Sequence, residues 1–486
     1  RRQLCAASGG QRDPLVRDMS LTPERLREAA AVAPSPRQLA WQQMEFYGFI
    51  HFGMNTFTGR EWGDGTASPA LFDPACLDAG QWARALKSAG MRGMILTCKH
   101  HDGFCLWPSA HTDYSVKYAP WKGGRGDVVR EAADACRRAG LKFGVYLSPW
   151  DRHDPRYGAG KPYDDYYVAQ LTELLTGYGE LFCVWLDGAC GEGPNGRRQA
   201  YDWARYYETI RALQPGAVIS VCGPDVRWCG NEAGHCRPSE WSVVPAALRD
   251  AAYTAERSQQ EDSAAFARRV SREDEDLGSR AVLARGGALA WYPAEVDTSI
   301  RPGWFYHPQE DAQVRTAGEL RELYLSAVGG NAALLLNVPP APDGRIAAPD
   351  CAALAGLGRE LQALFAVQLD GCLAADASAP DHPPALAADG LPGTYWQAAP
   401  GRTGAALTLT FPQEEAVSCV VLGEYLPAGQ RIEAGRIEAD GRTIASFTVV
   451  GHKRICRFAP VRARALTIRI TAARAEPALR LIAAYR

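Results

Sequence analysis

Four stretches of the chain repeat one pattern. Apolar residues recur at helical spacing, a glycine follows, and a short and almost wholly apolar block comes next. Polar and aromatic residues then close the unit. QWARALKSAG leads into MRGMILTCKHH, DVVREAADACRRAG into LKFGVYLSPWD, YVAQLTELLTGYG into ELFCVWLDGA, and YYETIRALQPG into AVISVCGPD. In the first unit Trp82, Leu86 and Ala89 fall on one helix face. Gly90, Gly140, Gly179 and Gly216 mark the expected helix ends. The apolar blocks fit strands buried on both faces, and helices alternating with such strands predict a parallel sheet. FYGFIHFG reads as an earlier strand, and LAWYPAEVDTS and AALLLNVPP as later ones.

This grammar predicts an α/β fold: a (β/α)8-like barrel of the TIM type over residues 36–345. The polar tails of its strands would gather at the C-terminal face, where such barrels carry chemistry. An open doubly wound sheet is the alternative, but no glycine-rich phosphate loop supports a nucleotide-binding version of it. The charge-dense stretch 256–280 reads as solvated helix or loop. Over residues 346–486 the text changes. LAADASAPDHPPALAADGLPG reads as linker, and short strands follow, with Asp440–Gly441 as a hairpin turn. They predict a C-terminal antiparallel β-sandwich. Such a domain either binds sugar or braces the barrel, and bracing is the expected role. Residues 1–35 form an N-terminal extension. Met19 looks like a natural start, so residues 1–18 read as vector-derived or upstream sequence.

A length of 486 residues suits two domains. A net charge of −2 and the lack of a basic stripe give no electrostatic case for nucleic acid or an anionic membrane. No apolar run reaches the roughly 18 residues of a membrane span. The opening residues lack the apolar segment of a signal peptide, so a cytoplasmic location is expected, with secretion left open for a truncated N-terminus. The 14 cysteines form no C-x-x-C pair, and Cys222, Cys229 and Cys236 recur at seven-residue intervals, which is not zinc spacing. Reduced, buried cysteines are expected rather than a disulfide framework. The 13 Trp and 19 Tyr suit a pocket that stacks sugar rings, although core packing also uses them.

The strand ends carry the candidate chemistry. They offer His51, then His100, His101 and Asp102, then Tyr146, Trp150 and Asp151, then Trp185 and Asp187. Glu61 and Trp62 stand in GREWGDG, and Arg227, Asn231 and Glu232 in RWCGNEAG. A metal site is not expected, because the first strand lacks the H-x-H that points two imidazoles inward. The adjacent histidines read equally as a satisfied structural pair. Asp187 follows a buried strand, where a carboxylate is costly unless partnered or used. With Glu232 it could face a sugar as one of two glycosidase carboxyls. The plainer readings are a helix N-cap for Asp187 and a surface acid for Glu232.

Together HFGMNTF, EW, KHHDGF, GVYLSPWD, VWLDGA and LLLNVPP resemble family 29 glycoside hydrolases, the retaining α-L-fucosidases. RWCGNEAG, EDEDLGSR, EVDTSIRPGWFYH and GHKRICRF are most similar to the branch acting on α-1,3/1,4-linked fucose of Lewis-type glycans. The resemblance implies Asp187 as nucleophile and Glu232 as acid/base, with Glu192, Glu240 and Glu295 as competitors for the second role. It implies that His51, Glu61, Trp62, His100, His101 and Tyr146 line the sugar pocket, with Trp185 and Arg227 as weaker members. It leaves Asp102 to brace its turn. A fucosylated oligosaccharide is the implied partner, and no metal or organic cofactor is implied. A broad-specificity α-L-fucosidase, a same-fold enzyme for another sugar such as L-galactose, and a noncatalytic fucose-binding protein are the other readings.

Overall fold

The computed structural model describes residues 21–263, 265–270 and 276–486; the expectation for residues 1–18 lies outside them. Eight parallel strands build the first domain: β1 (Phe46–Ile50), β2 (Gly93–Lys99), β3 (Lys142–Leu147), β4 (Cys183–Leu186), β5 (Val218–Val221), β6 (Arg227–Trp228), β7 (Ala294–Ser299) and β8 (Ala333–Asn337). They bond in the order β5-β4-β3-β2-β1-β8-β7-β6. A bridge between Ser220 and Val226 brings β5 beside β6, so the sheet nearly closes into a barrel.

The local causes are those the pattern implies. Every residue of β1, β2 and β4 is buried, as expected of strands covered on both faces. Helix Ala79–Ser88 starts where Asp78 accepts a bond from Gln81 N, and it buries Trp82 and Leu86 against the barrel. Helix Val128–Ala139 ends at Gly140 with φ 72°, a left-handed cap. Gly216 differs: helix Trp203–Leu213 ends earlier, Gln214 N donates to Ile210 O, and the glycine falls in the turn before β5. LAWYPAEVDTS also divides. Leu289–Trp291 pairs antiparallel with Val243–Pro245 in a separate ribbon, and only Ala294–Ser299 enters the barrel. Pro293 lies between them and has no N–H to offer a ladder. Helix Ala348–Leu364 packs on helices Ala317–Ala327 and Ala79–Ser88, so the barrel's outer layer includes residues after 345.

Seven antiparallel strands follow, from Cys372–Ala375 to Ala478–Tyr485. Two of them, Ala405–Glu424 and Arg454–Ala473, run 20 residues each and shift register between Thr410 and Glu415 and between Val417 and Cys419. Their two halves pair with different neighbours, so the sheet folds over one core holding Leu407, Ile437 and Ile468 with Val420, Leu422 and Ile482. Asp440 (φ 46°) and Gly441 (φ 83°) make the hairpin turn. Buried polar bonds join this domain to the barrel. Glu45 accepts from His452 Nε2 at 2.9 Å and from Lys453 Nζ at 2.8 Å, and Gln430 Oε1 accepts from Ser242 N at 2.7 Å. Among the described residues thirteen cysteines are free, and no helix is long and apolar enough to cross a membrane.

Candidate active site

A pocket opens at the C-terminal ends of the strands. Asp187 enters it just beyond β4. Its Oδ2 accepts from Tyr146 OH at 2.7 Å and its Oδ1 from Ala189 N at 2.9 Å. His101 Nε2 stands 3.6 Å from Oδ2. The Ala189 bond is the N-cap-like turn expected of Asp-Gly, yet the side chain keeps 20% exposure and lines the cavity. The turn bond therefore leaves the carboxylate in the cavity wall. At Gly188 a side chain would strike Ser258 Oγ, so glycine is needed for the opposite wall to approach.

Glu232 reaches the same pocket from the loop after β6, and Trp304 Nε1 donates to its Oε2 at 3.2 Å. Burial, reinforced by the negative charge of Asp187, pushes the Glu232 carboxyl up to about 8. The two carboxyls thus line one cavity, and the charge of Asp187 helps hold the proton on Glu232.

Glu61 lines the pocket and anchors one wall. Its carboxylate accepts from Trp304 N at 2.5 Å, Phe305 N at 3.0 Å and His307 Nε2 at 3.0 Å. Trp62 crosses His101 and Trp150 edge to face at 5.6 and 5.3 Å. His51, His100 and His101 all line the cavity, and burial holds each below the usual histidine range, His51 and His101 at about 4. Trp185 forms floor, its indole N–H donating to Glu295 Oε1 at 2.7 Å. Tyr146 stacks on Trp185 and reaches the cavity through its bond to Asp187.

Arg227 does not join them. Its guanidinium is buried behind β6, paired with Glu240 at 2.5 Å and donating to the carbonyls of Trp241 and Tyr292. The rise of a two-residue strand points this side chain away from the pocket and puts Trp228 toward it, because alternate strand residues face opposite sides. The competitors for the acid role also fall elsewhere. Glu240 is tied to Arg227 and Arg237. Glu192 lines a separate surface groove with Asp64 and Arg152. Glu295 lies beneath the floor, taking hydrogen bonds from Tyr47 OH and Trp185. Asp102 accepts from Phe104 N at 3.3 Å, bracing its turn.

Several pocket residues were not anticipated. Asp297, in β7, faces the cavity and accepts from Trp228 Nε1 at 2.9 Å. Trp304 and His307 come from the loop after β7. Ser258, Gln259, Asp262 and Ser263, part of the stretch read as solvated charge, form an outer wall. Only the period-2 alternation Glu295, Asp297, Ser299 carried a signal for the first of these. Among the described residues, His100, His101 and Asp187 are the one group of such side chains close enough to surround a metal ion. Both oxygens of Asp187 already take protein hydrogen bonds, which partner its charge without one.

The α-L-fucosidase family model matches residues 35–363. The chain belongs to that family. It is 38% identical over 467 residues to alpha-L-fucosidase 1 of Arabidopsis thaliana, covering 93% of this chain and 87% of the relative. A putative alpha-L-fucosidase structure from Bacteroides ovatus superposes with TM-score 0.83 at 43% identity, over 97% of this chain and 76% of the other. A Ruminococcus gnavus GH29 fucosidase in complex with fucose gives TM-score 0.80 at 28% identity, over 94% of this chain and 95% of that one. Family 29 membership thus accounts for the barrel, the C-terminal sheet and the motif order along the chain.

Proposed function

We propose that this protein is a retaining exo-α-L-fucosidase acting on α-1,3/1,4-linked L-fucose of branched, Lewis-type oligosaccharides. The observation that carries the mechanism is Glu232, held protonated in the cavity that Asp187 enters. Glu232 gives its proton to the glycosidic oxygen as Asp187 attacks C1; the C1–O bond breaks, the aglycone leaves as an alcohol, and a covalent glycosyl ester forms. Esterification removes the charge of Asp187, one cause of the raised Glu232 value. Glu232 then ionises more readily and can take a proton from the incoming water, which attacks C1 and frees fucose. One group serves as acid and then base because its neighbour's charge comes and goes.

The linkage assignment is supported by the sequence likeness of RWCGNEAG and EVDTSIRPGWFYH, which place Glu232, Trp304 and His307 around the cavity. The test is parallel incubation with 3-fucosyllactose, Lewis a and Lewis x glycans, 2′-fucosyllactose and p-nitrophenyl fucoside. Release from the Lewis glycans well ahead of 2′-fucosyllactose is the expected result. Equal rates on both would overturn the linkage assignment, and no release from any fucoside would overturn the activity.

A further inference from the structure

The three pocket histidines are each held from behind by a different polar side chain, and the partners dictate where each proton sits. Asn337 is fully buried. Its Oδ1 accepts from the backbone N of His51 at 3.2 Å, and its Nδ2 donates to Trp304 O at 2.7 Å and Ser299 Oγ at 2.9 Å. A backbone N–H can only donate and a carbonyl can only accept, so the amide has one orientation. His51 Nδ1 faces that same Oδ1 at 2.8 Å and must carry a hydrogen. In the neutral ring Nε2 then bears a lone pair, and it has no hydrogen-bond partner among the described residues.

The same logic applies to the other two. Ser148 donates its single hydroxyl hydrogen to Trp150 O at 2.7 Å, so its Oγ accepts from His101 Nδ1 at 2.7 Å. His101 therefore also presents a lone pair at Nε2, 3.6 Å from Asp187 Oδ2, and that carboxylate takes its donors from Tyr146 OH and Ala189 N instead. Asn55 is oriented by its 2.8 Å bond to Glu61 O, and its NH₂ points at His100 Nδ1 at 3.5 Å. This long contact favours an accepting Nδ1 on His100, with its hydrogen on Nε2.

We propose that Asn337, with Ser148 and Asn55, sets these tautomers from behind, so that His51 and His101 accept and His100 donates toward the substrate hydroxyls. Asn337 is then a specificity-determining positioning residue. It couples the polarity of His51 to the Trp304 loop, whose indole N–H holds Glu232. A sugar hydroxyl that meets His51 or His101 must give its hydrogen, and one that meets His100 must receive one. This assignment rests on the fucosidase reading for the identity of the sugar, while the tautomers themselves are properties of the free protein.

Imidazole ¹⁵N spectra of the ligand-free protein test it, with His51→Gln, His100→Gln and His101→Gln giving the assignments. Protonated Nδ1 at His51 and His101 and protonated Nε2 at His100 are expected; an Nε2–H His51 would overturn the proposal. Titration with L-fucose and its monodeoxy and monodeoxyfluoro analogues gives the second readout. Fluorine accepts weakly and cannot donate, so at positions facing His51 or His101 it should be as poor as hydrogen, and at the position facing His100 better. Equal effects at every position would count against it. Asn337→Ala should weaken L-fucose binding about tenfold and release His51 from its single tautomer. Weakened binding with His51 still fixed as Nδ1–H would reduce Asn337 to a prop for the loop and overturn its assigned role. If that variant does not fold, the wild-type spectra and the analogue panel still decide. Failure of wild type to bind L-fucose would count against the fucosidase reading, not against the tautomers.

Discussion

Tyr146 and Asp187 come from neighbouring elements of the barrel, and the phenol of the first donates to Oδ2 of the second at 2.7 Å. Tyr146 lies opposite Trp185 in the β3–β4 ladder, so the sheet register itself aims the donor at the carboxylate two residues on. Burial and the Asp187 charge raise the phenol well above its ordinary range, so it remains a donor at any working pH. A hydrogen bond to a charged group contributes about 1.5–3 kcal/mol. Tyr146→Phe should therefore lower kcat/KM by roughly 10- to 100-fold, each tenfold being about 1.4 kcal/mol. The loss should fall on kcat more than on KM. Steady-state kinetics on an aryl fucoside check this, and a change within about threefold would mean that Ala189 N alone suffices to orient Asp187.

The roles of the two carboxyls separate by stereochemistry. With Asp187→Ala, azide would enter the vacated site and attack C1 from the face opposite the leaving group, giving β-L-fucosyl azide. With Glu232→Ala, the ester on Asp187 still forms from an activated fucoside, and azide opens it with a second inversion, giving the α-azide. Each variant should lose several orders of magnitude on natural glycans without azide. The products are distinguished by the anomeric proton coupling. The α-azide from Asp187→Ala would remove Asp187 from the nucleophile role.

Glu232 makes a pH prediction with a definite sign. Its proton must be present for the first step, so wild-type kcat/KM should fall as pH rises through about 8. On an aryl fucoside with a good leaving group, Glu232→Gln should lack that alkaline limb. Stability follows the same proton. The folded state holds it up to about 8, whereas an unfolded glutamate releases it near 4.3. The native state binds the extra proton between those values, so wild type loses stability as pH rises across that window. Glu232→Gln removes the dependence, and its melting-temperature advantage over wild type should grow from about pH 5 to about pH 8. A constant difference across that range would mean that Glu232 titrates alike in both states.

The barrel was legible because its strands are short apolar blocks after helices, and that pattern depends on local chain properties alone. The places where the reading failed are places where distant packing decides. Gly216 has the right spacing for a cap, but the helix stops earlier at Gln214. Arg227 has the right chemistry for a sugar pocket, but a two-residue strand turns it toward Glu240. Ser258, Gln259 and Asp262 sit in a charge-rich stretch whose composition says only that water is near. Their place in the pocket wall follows from the return of the chain over β4, which Gly188 permits. Asp187 and Glu232 stood out as candidates from a strand end and a loop carboxyl, and family motifs then singled them out. Their mutual effect on protonation became visible only when the cavity joined them.

Asp297 shows what a third carboxyl does in such a cavity. It is buried, it accepts from Trp228 Nε1 at 2.9 Å, and burial above all raises it well above the carboxylate range. A group kept neutral in this way supplies an acceptor and a shape but no negative charge. Asp297→Asn preserves both, because an amide oxygen can take the Trp228 bond. Its kcat/KM should stay within about threefold of wild type, and the alkaline limb set by Glu232 should not move. Asp297→Leu removes the acceptor, leaves the Trp228 N–H unpaired and should destabilise by about 1–3 kcal/mol, which denaturant unfolding would measure. An ionised Asp297 would behave otherwise. Its charge would help keep Glu232 protonated, and Asp297→Asn would shift the alkaline limb to lower pH. The pH–rate profile of that one isosteric variant therefore decides whether Asp297 stands neutral or ionised beside Glu232.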